Sequence, residues 1–456
     1  MNTFPRHIFR AYDIRGVDGL EIHTAFAKKL GQSFASILQA HHLNDLVVGY
    51  DGRVSSQDLA QSLMAGLVEM GVNVVNVGLV PTPGLYFACH HLGIPSGIMV
   101  TGSHNPATDN GFKMVLAGRP FAGDDVAHLY DVMHQDHESK GQGAITQSEV
   151  LTHYIEKMSQ QIQLRRPLKV VVDAGNGAGG VLLPTLYEKM GAVCVPLYHE
   201  VDGLFPNHHP DPSRSDNLQD LILRVQQENA DLGMAFDGDA DRLGVVTKTG
   251  KVIPQDKLLM LFAKAILQET PDSLVMCDVK CSHFVKHVVE AAGGRAMVWK
   301  TGHSHIKNKM RETGAVVAAE MSGHFFFKDR WYGFDDAPYA GARMLELLDA
   351  AEKDLDALVD ALPQSVSTEE ILLPVDEQHK FQIIDILKEY DFGRGERHLI
   401  DGIRVEFQKS WGLVRASNTS PNLVLRFEAD DQIELTQVMD LFQDALASLP
   451  TPLYLK

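Results

Sequence analysis

The 456-residue chain is poor in cysteine, in basic charge and in long apolar stretches, and each deficit closes off a class of protein. Its four cysteines, Cys89, Cys194, Cys277 and Cys281, are too few and too scattered for a disulfide framework. The one close pair, Cys277 and Cys281, lacks a second pair to complete a zinc site, so all four read as free thiols in a reducing compartment. Nowhere do about 18 apolar residues run uninterrupted, as a membrane-spanning helix requires. The opening MNTFPRHIFRAYDIRG has no apolar stretch of the kind a secretory leader carries. A cytosolic chain is expected, one in which the Asn418-Thr419-Ser420 sequon never meets the glycosylation machinery. Lysine and arginine number 41 against 59 aspartates and glutamates, a net charge of −18. So acidic a surface repels nucleic acid and anionic lipid unless basic residues cluster locally, and neither partner is expected.

What is present is an ordinary globular composition, 45% apolar and 22% charged, at a length that suggests about three domains. Short β-branched runs alternate with amphipathic stretches, the pattern of α/β domains on largely parallel sheets. The pattern recurs three times. LVVGYDGR near residue 46, LKVVVDAGNGAGG near 168 and LVMCDVKCS near 274 each give a strand that closes on an aspartate (Asp51, Asp173, Asp278). Each is followed by a predicted helix (57–69, 182–189, 283–292), a glycine turn and a second strand. After about residue 364 the texture changes to alternating runs and one amphipathic helix over 432–447. The expected architecture is three similar α/β domains with mixed, largely parallel sheets and a smaller C-terminal α+β domain, divided as 1–148, 149–251, 252–363 and 364–456.

Each unit continues into a polar segment. In DGDADR the carboxylates Asp237, Asp239 and Asp241 stand at alternate positions, separated by the smallest residues, and such crowding calls for a hard divalent cation with oxygen ligands, magnesium above all. A calcium EF-hand is excluded, because Arg242 and Lys248 occupy the positions that need Gly and Glu. TGSHNP puts Ser103 at the tip of a glycine-permitted turn beside His104, where it could serve as a nucleophile or phosphate carrier or stand in an ordinary Ser-Asn-Pro turn. The G-x-S-x-G elbow of lipase-like hydrolases is absent. EMSGH offers Glu320, Ser322 and His324 to the hydroxyls of a sugar, and KTGHSHIK adds Lys300, His303, His305 and Lys307, with His303 able to titrate near neutrality. RASNTSPN, between two apolar strands, gathers a guanidinium, hydroxyls and an amide in one turn, the makings of a phosphate clamp or of a plain hairpin loop.

Gly175-x-Gly177-x-x-Gly180 matches a dinucleotide fingerprint and has Glu200 at about the right distance. Asp173 and Ala174 intervene between strand and first glycine, however, and the other two units lack the glycines. These residues are expected to be turn and packing positions.

Together and in this order, TGSHNP, DGDADR, EMSGH and RASNTSPN resemble the α-D-phosphohexomutase superfamily, and the resemblance spans the chain from FRAYDIRG (9–16) onward. NGFK (110–113), KTGHSHIK and EMSGHFFFKDRWYGFDDAPY are similar to its bacterial phosphomannomutase/phosphoglucomutase branch, with Ala319 where that branch commonly has Gly. The resemblance implies four domains around one cleft, and a mutase that interconverts hexose 1- and 6-phosphates of mannose, glucose or both. The expected intermediate is a reorienting glucose or mannose 1,6-bisphosphate, which also serves as activator. It implies Ser103 as phosphoserine, and Mg2+ held by Asp237, Asp239, Asp241 and a Ser103 phosphate oxygen. Glu320, Ser322 and His324 would meet the sugar. Arg415, Ser417, Asn418 and Thr419 would hold the phosphate that is not in transfer. Arg15, Lys113, Arg242 and His303 would line the transfer site, and Tyr12 and Lys280 would add substrate contacts. Lys113 and His303 both suit the role of general base. The expected partner is a small phosphosugar, and the chain is expected to be a monomer. Phosphoglucosamine mutase is the neighbouring alternative, and a non-catalytic phosphosugar sensor is disfavoured by the intact serine, aspartates and Lys113.

Overall fold

The computed structural model describes residues 4–139, 141–418 and 420–455. Three sheets share one core. In the first, Asp45–Tyr50 runs parallel to Asn73–Leu79 on one side and to Gly97–Val100 on the other, and Asp109–Leu116 returns antiparallel beside Gly97–Val100. Lys169–Asp173, Val193–Leu197, Leu232–Phe236 and Leu243–Thr247 repeat that arrangement. So do Leu274–Asp278, Arg295–Trp299, Val317–Ala319 and Phe325–Phe327. The threefold repeat read in the sequence is therefore a repeat of topology. Extra strands extend the edges: Ile14–Val17 and Ile145–Gln147 in the first sheet, Val252–Ile253 in the second.

The central strands are buried along their whole length, as in Leu232–Phe236 and Gly97–Val100, because helices cover both faces of each sheet and leave no solvent side for polar residues. The expected helices fall at Ser56–Glu69, Leu183–Lys189 and Phe284–Ala291. Each ends in a turn where Gly71, Gly191 or Gly293 takes a positive φ of 86°, 101° or 83°, a conformation that a Cβ penalises.

One consequence of the shared topology positions the chemistry. The segments holding Ser103, the three aspartates and Glu320 all connect the third core strand to the antiparallel fourth, at the carboxyl end of a parallel strand, where open α/β sheets bind their ligands.

The C-terminal sheet is antiparallel. Ser410–Ala416 lies between Ile403–Glu406 and Asn422–Ala429, and the helix Gln432–Ala447 packs on it, capped by the Asp431 carboxylate on the N–H groups of Ile433 and Glu434. Ser417 and Asn418 follow Ser410–Ala416, and Pro421 precedes Asn422–Ala429, at the turn end of this strand pair.

A single apolar cluster runs from the first sheet through the second into the third, joining residues such as Phe87, Leu183, Phe262 and Phe327. The C-terminal domain keeps a core of its own around Phe427 and Phe442. It is tied to the third domain by Arg404, which stacks 3.8 Å from Trp411 of its own sheet and donates to the carbonyls of Val279 and Cys281 at 2.7 and 2.6 Å, and by Val279 packing with Trp411 and Leu413. The four cysteines are free thiols. No helix among the described residues is long and apolar enough to cross a membrane.

Candidate active site

The four loops face a cleft of about 840 Å³. The TGSHNP turn leaves the end of Gly97–Val100 with Ser103 buried at φ 49°, an uncommon conformation for a residue with a side chain. Its N–H donates to Thr101 Oγ1 at 2.8 Å. Oγ donates to Asp237 Oδ2 at 2.9 Å and lies 3.1 Å from His104 Nδ1.

Asp237, Asp239 and Asp241 are fully buried, and one carboxylate oxygen from each lies within 4.8 Å of the other two. Asp237 uses Oδ1 to accept the N–H groups of Asp241 and Arg242, both at 3.0 Å, so the loop caps itself and leaves Oδ2 to Ser103. Thr82, from the first domain, donates to Asp239 Oδ2 at 2.5 Å. Lys113 Nζ sits 2.6 Å from Asp239 and 2.5 Å from Asp241. At an effective dielectric of about 20, carboxylates this close repel by at least about 3 kcal/mol per pair, and Lys113 offsets only part of that. Burial and the two neighbouring carboxylates push Asp237 well above the usual carboxylate range. For Asp241, Lys113 and His324 outweigh burial and hold it well below. Asp239 Oδ1 accepts no hydrogen bond from any described residue. An all-oxygen donor set, a buried orphan oxygen and surplus negative charge fit a hard divalent cation. Arg242 Nε stands 4.0 Å from Asp237 Oδ2.

Across the cleft, Glu320 Oε1 accepts the Gly302 N–H at 2.5 Å, fixing the EMSGH loop against KTGHSHIK. His324 is pinned on both sides, with Nδ1 3.1 Å from Glu320 Oε2 and 2.9 Å from Ser322 Oγ, and Nε2 3.3 Å from Asp241 Oδ1. Against burial, Asp241 and Glu320 raise its pKa to about 9. Burial and Lys307 push the His303 imidazole down despite Asp335 at 3.2 Å.

In the fourth loop, the Asp401 carboxylate 2.9 Å away orients the Arg415 guanidinium, and Ser417 Oγ accepts from Ser420 N–H at 3.1 Å. Asn418 Nδ2 donates at 2.5 Å to the Tyr12 hydroxyl, which donates at 2.9 Å to the Thr301 carbonyl, so the first, third and fourth domains meet at one phenol. Lys280 pairs with Glu370, and Arg15 with Asp13 at 2.8 Å. Thr419, expected in this clamp, lies outside the described residues.

The structure brings most of the described candidates to one place, although Lys300 and His305 line a separate pocket and Lys307 pairs with Asp335. Tyr12, Arg15, Lys113, Arg242, Lys280, His303, Glu320, Ser322, His324, Arg415, Ser417 and Asn418 line the cleft, while Ser103 and the aspartates lie buried beneath its floor. The acidic chain has drawn its cations inward, most of them paired with a carboxylate. Several of those partners escaped sequence reading: Asp13, Glu370, Asp401 and Asp335 carry no local signal, since a lone acid far along the chain gains meaning only when a fold sets it beside a base. The Gly175 motif is a packing feature, because a Cβ on Gly177 would stand 2.6 Å from the Gly238 carbonyl oxygen in the acidic loop.

Sequence models of the phosphoglucomutase/phosphomannomutase family match in order: alpha/beta/alpha domain I over residues 6–140, domain II over 152–250, domain III over 254–366 and the C-terminal domain over 370–445. A Pseudomonas aeruginosa protein named phosphomannomutase/phosphoglucomutase is 48% identical over 455 residues, 99% of this chain and 98% of that one. A Neisseria gonorrhoeae phosphoglucomutase is 44% identical over 456 residues, 99% of each. The crystal structure of a phosphoglucomutase/phosphomannomutase family protein from Burkholderia thailandensis superposes with a TM-score of 0.94 at 45% identity, covering 99% of this chain and 100% of that one. By its sequence, its four domains in order and its cleft, the chain is an enzyme that belongs to the phosphoglucomutase/phosphomannomutase family.

Proposed function

We propose that the protein interconverts the 1- and 6-phosphates of mannose, of glucose or of both, with Ser103 as phosphoryl carrier, Mg2+ as cofactor and a hexose 1,6-bisphosphate as intermediate and activator. The carrying observation is the meeting of Ser103 Oγ with the buried carboxylate cluster, Asp237 at 2.9 Å, beneath a cleft whose far wall holds sugar-binding and phosphate-binding groups. The four domains divide near 148, 251 and 363, and each contributes one loop.

Asp237, Asp239 and Asp241, with Ser103, would hold the metal, which supplies charge neutralisation for a transferring phosphoryl group when bound. The protein's own part is positioning and electrostatics, the main requirement of phosphoryl transfer. Lys113, Arg242 and Arg15 surround Ser103 with fixed positive charge. Glu320 and Ser322 orient the hexose hydroxyls. Arg415, Ser417, Asn418 and Thr419 hold the distal phosphate, and a clamp of one guanidinium and several neutral groups grips either phosphate and still releases it when the bisphosphate turns round. Tyr12 and Lys280 complete the grip.

For the proton of the attacking hydroxyl, Lys113 is the weaker choice, since Asp239 and Asp241 outweigh burial and keep its ammonium protonated. The accepting hydroxyl must sit between the sugar loop and Ser103. His324 spans that interval, touching Glu320 and Ser322 on one side and Asp241 on the other, while His303 stands behind it with ring centroids 5.6 Å apart. Asp241 and Glu320 likewise hold a proton on His324, whereas burial and Lys307 push His303 toward its neutral form, so we assign His303 the base role and His324 the positioning of the hydroxyl.

The test is direct: purified protein with Mg2+ and a trace of glucose 1,6-bisphosphate should interconvert mannose and glucose phosphates. Faster turnover of glucosamine phosphates would favour the neighbouring mutase activity, and no turnover of any of them would refute the reading.

A further inference from the structure

The loop that carries Ser103 is held from behind by a single buried guanidinium. Arg53 Nη2 donates to the carbonyls of Ser103 and Asn105, both at 2.7 Å, and Nη1 to those of Pro106 and Asp109 at 2.6 and 2.8 Å. Its Nε lies 3.3 Å from Asp51 Oδ2, and both side chains are 1% exposed. The four N–H groups of Nη1 and Nη2 are thus directed to the loop carbonyls, while Nε faces Asp51 as an ion pair without a hydrogen bond of its own. The same carboxylate serves the other side of the serine. Ser103 N–H donates to Thr101 Oγ1, whose hydroxyl donates to Asp51 Oδ2 at 2.6 Å. Both peptide groups of Ser103, the amide before it and the carbonyl after it, therefore lead back to Asp51.

Ser103 sits at φ 49°, and the left-handed region costs a residue with a Cβ on the order of 1 kcal/mol or more, so something must over-determine it. We propose that Asp51 and Arg53 form a positioning pair for phosphoryl transfer, which holds Ser103 in this conformation so that Oγ faces Asp237 in every step of the cycle. Two further contacts support the assignment. Gly102 lies flat on the guanidinium, where a Cβ would stand 2.7 Å from Arg53 Cζ. Phe205, from the second domain, covers the guanidinium with its ring centroid 5.1 Å away. The clamp is thereby built into the interface between the first and second domains, the interface that sets the Ser103 to Asp237 distance. Lysine cannot replace it, since one ammonium with three donors cannot serve four carbonyls laid out for a planar fork.

The inference rests on Ser103 being the phosphoryl carrier, and its test separates the two. Phosphoryl uptake from labelled glucose 1,6-bisphosphate in a single turnover, steady-state kcat and KM, and Tm are compared for wild type, Arg53→Met, Arg53→Lys and Ser103→Ala. A displaced reacting atom costs about 100-fold. Arg53→Met should take up label and turn over about 100-fold more slowly with KM for the hexose phosphate within about threefold, and Arg53→Lys should recover little. Arg53→Met with kcat within about threefold of wild type and label on Ser103 would overturn the inference alone, as would a fall confined to KM. Label persisting in Ser103→Ala would instead overturn the carrier reading. If Arg53→Met does not fold, Thr101→Val, which removes the acceptor of the Ser103 N–H and its link to Asp51 while leaving Arg53 in place, should lower kcat about tenfold or more at unchanged KM, and an unchanged kcat would overturn the proposal.

Discussion

Ser103 Oγ donates a 2.9 Å hydrogen bond to Asp237 Oδ2, joining residues 134 positions apart that belong to different sheets. Each is delivered by the same structural device, the connection between the third and fourth core strands, in the first copy of the unit and in the second. The proposed reaction centre therefore exists only where two copies of the repeat face one another.

Chelation should abolish turnover and lower thermal stability, because the three buried carboxylates then lose a divalent countercharge that Lys113, Arg242 and His324 replace only in part. Mg2+ at about 100 times its Kd should restore about 2.7 kcal/mol, seen as a rise in Tm. Asp239→Asn, which removes charge without volume, should weaken that Mg2+-dependent rise, as thermal melts against metal concentration will show.

His303→Gln should lower kcat by about 100- to 10,000-fold, the range for a general base, with a smaller change in KM. His324→Gln should cost less. Steady-state kinetics of the two variants decide the order, and a larger loss in His324→Gln would reverse the assignment.

Arg415→Ala should raise KM for hexose phosphates about tenfold or more while leaving Ser103 able to accept a phosphoryl group. A single buried charge-assisted contact of this kind is worth about 1.5–3 kcal/mol. Phosphoprotein yield measured beside KM separates binding from transfer.

In the second domain, His208 Nε2 lies 3.0 Å from Asp173, which raises the imidazole pKa in spite of burial. A histidine raised in the folded state contributes its stabilisation fully below the unfolded value of about 6.5 and loses it as pH rises through the folded value. The Tm gap between wild type and His208→Gln should accordingly shrink from pH 6 to pH 9, from a difference on the order of 1 kcal/mol.

Much of this was legible before any coordinates. The strand, Asp, helix, glycine-turn pattern at 46, 168 and 274 encodes a topology that recurs strand for strand, since β-branched runs buried on both faces and glycine turns are local properties. The motif residues were legible for the same reason: DGDADR crowds three carboxylates within five positions. What stayed hidden was pairwise and long-range. Arg53 stands two residues after the strand-end aspartate and carries no signal of its own until the fold lays residues 103–109 over it. His324 read as a sugar neighbour, and its contact with Asp241 is a product of the third domain closing on the second. The downward push on His303 stayed hidden because sequence does not reveal burial.

The central claim is tested most directly by the intact mass of the purified protein and of Ser103→Ala after exposure to glucose 1,6-bisphosphate, with mutase turnover measured on the same samples. One added phosphate on the wild type, none on Ser103→Ala, and loss of nearly all turnover in the variant are the results expected. Turnover near the wild-type rate in Ser103→Ala would contradict the account.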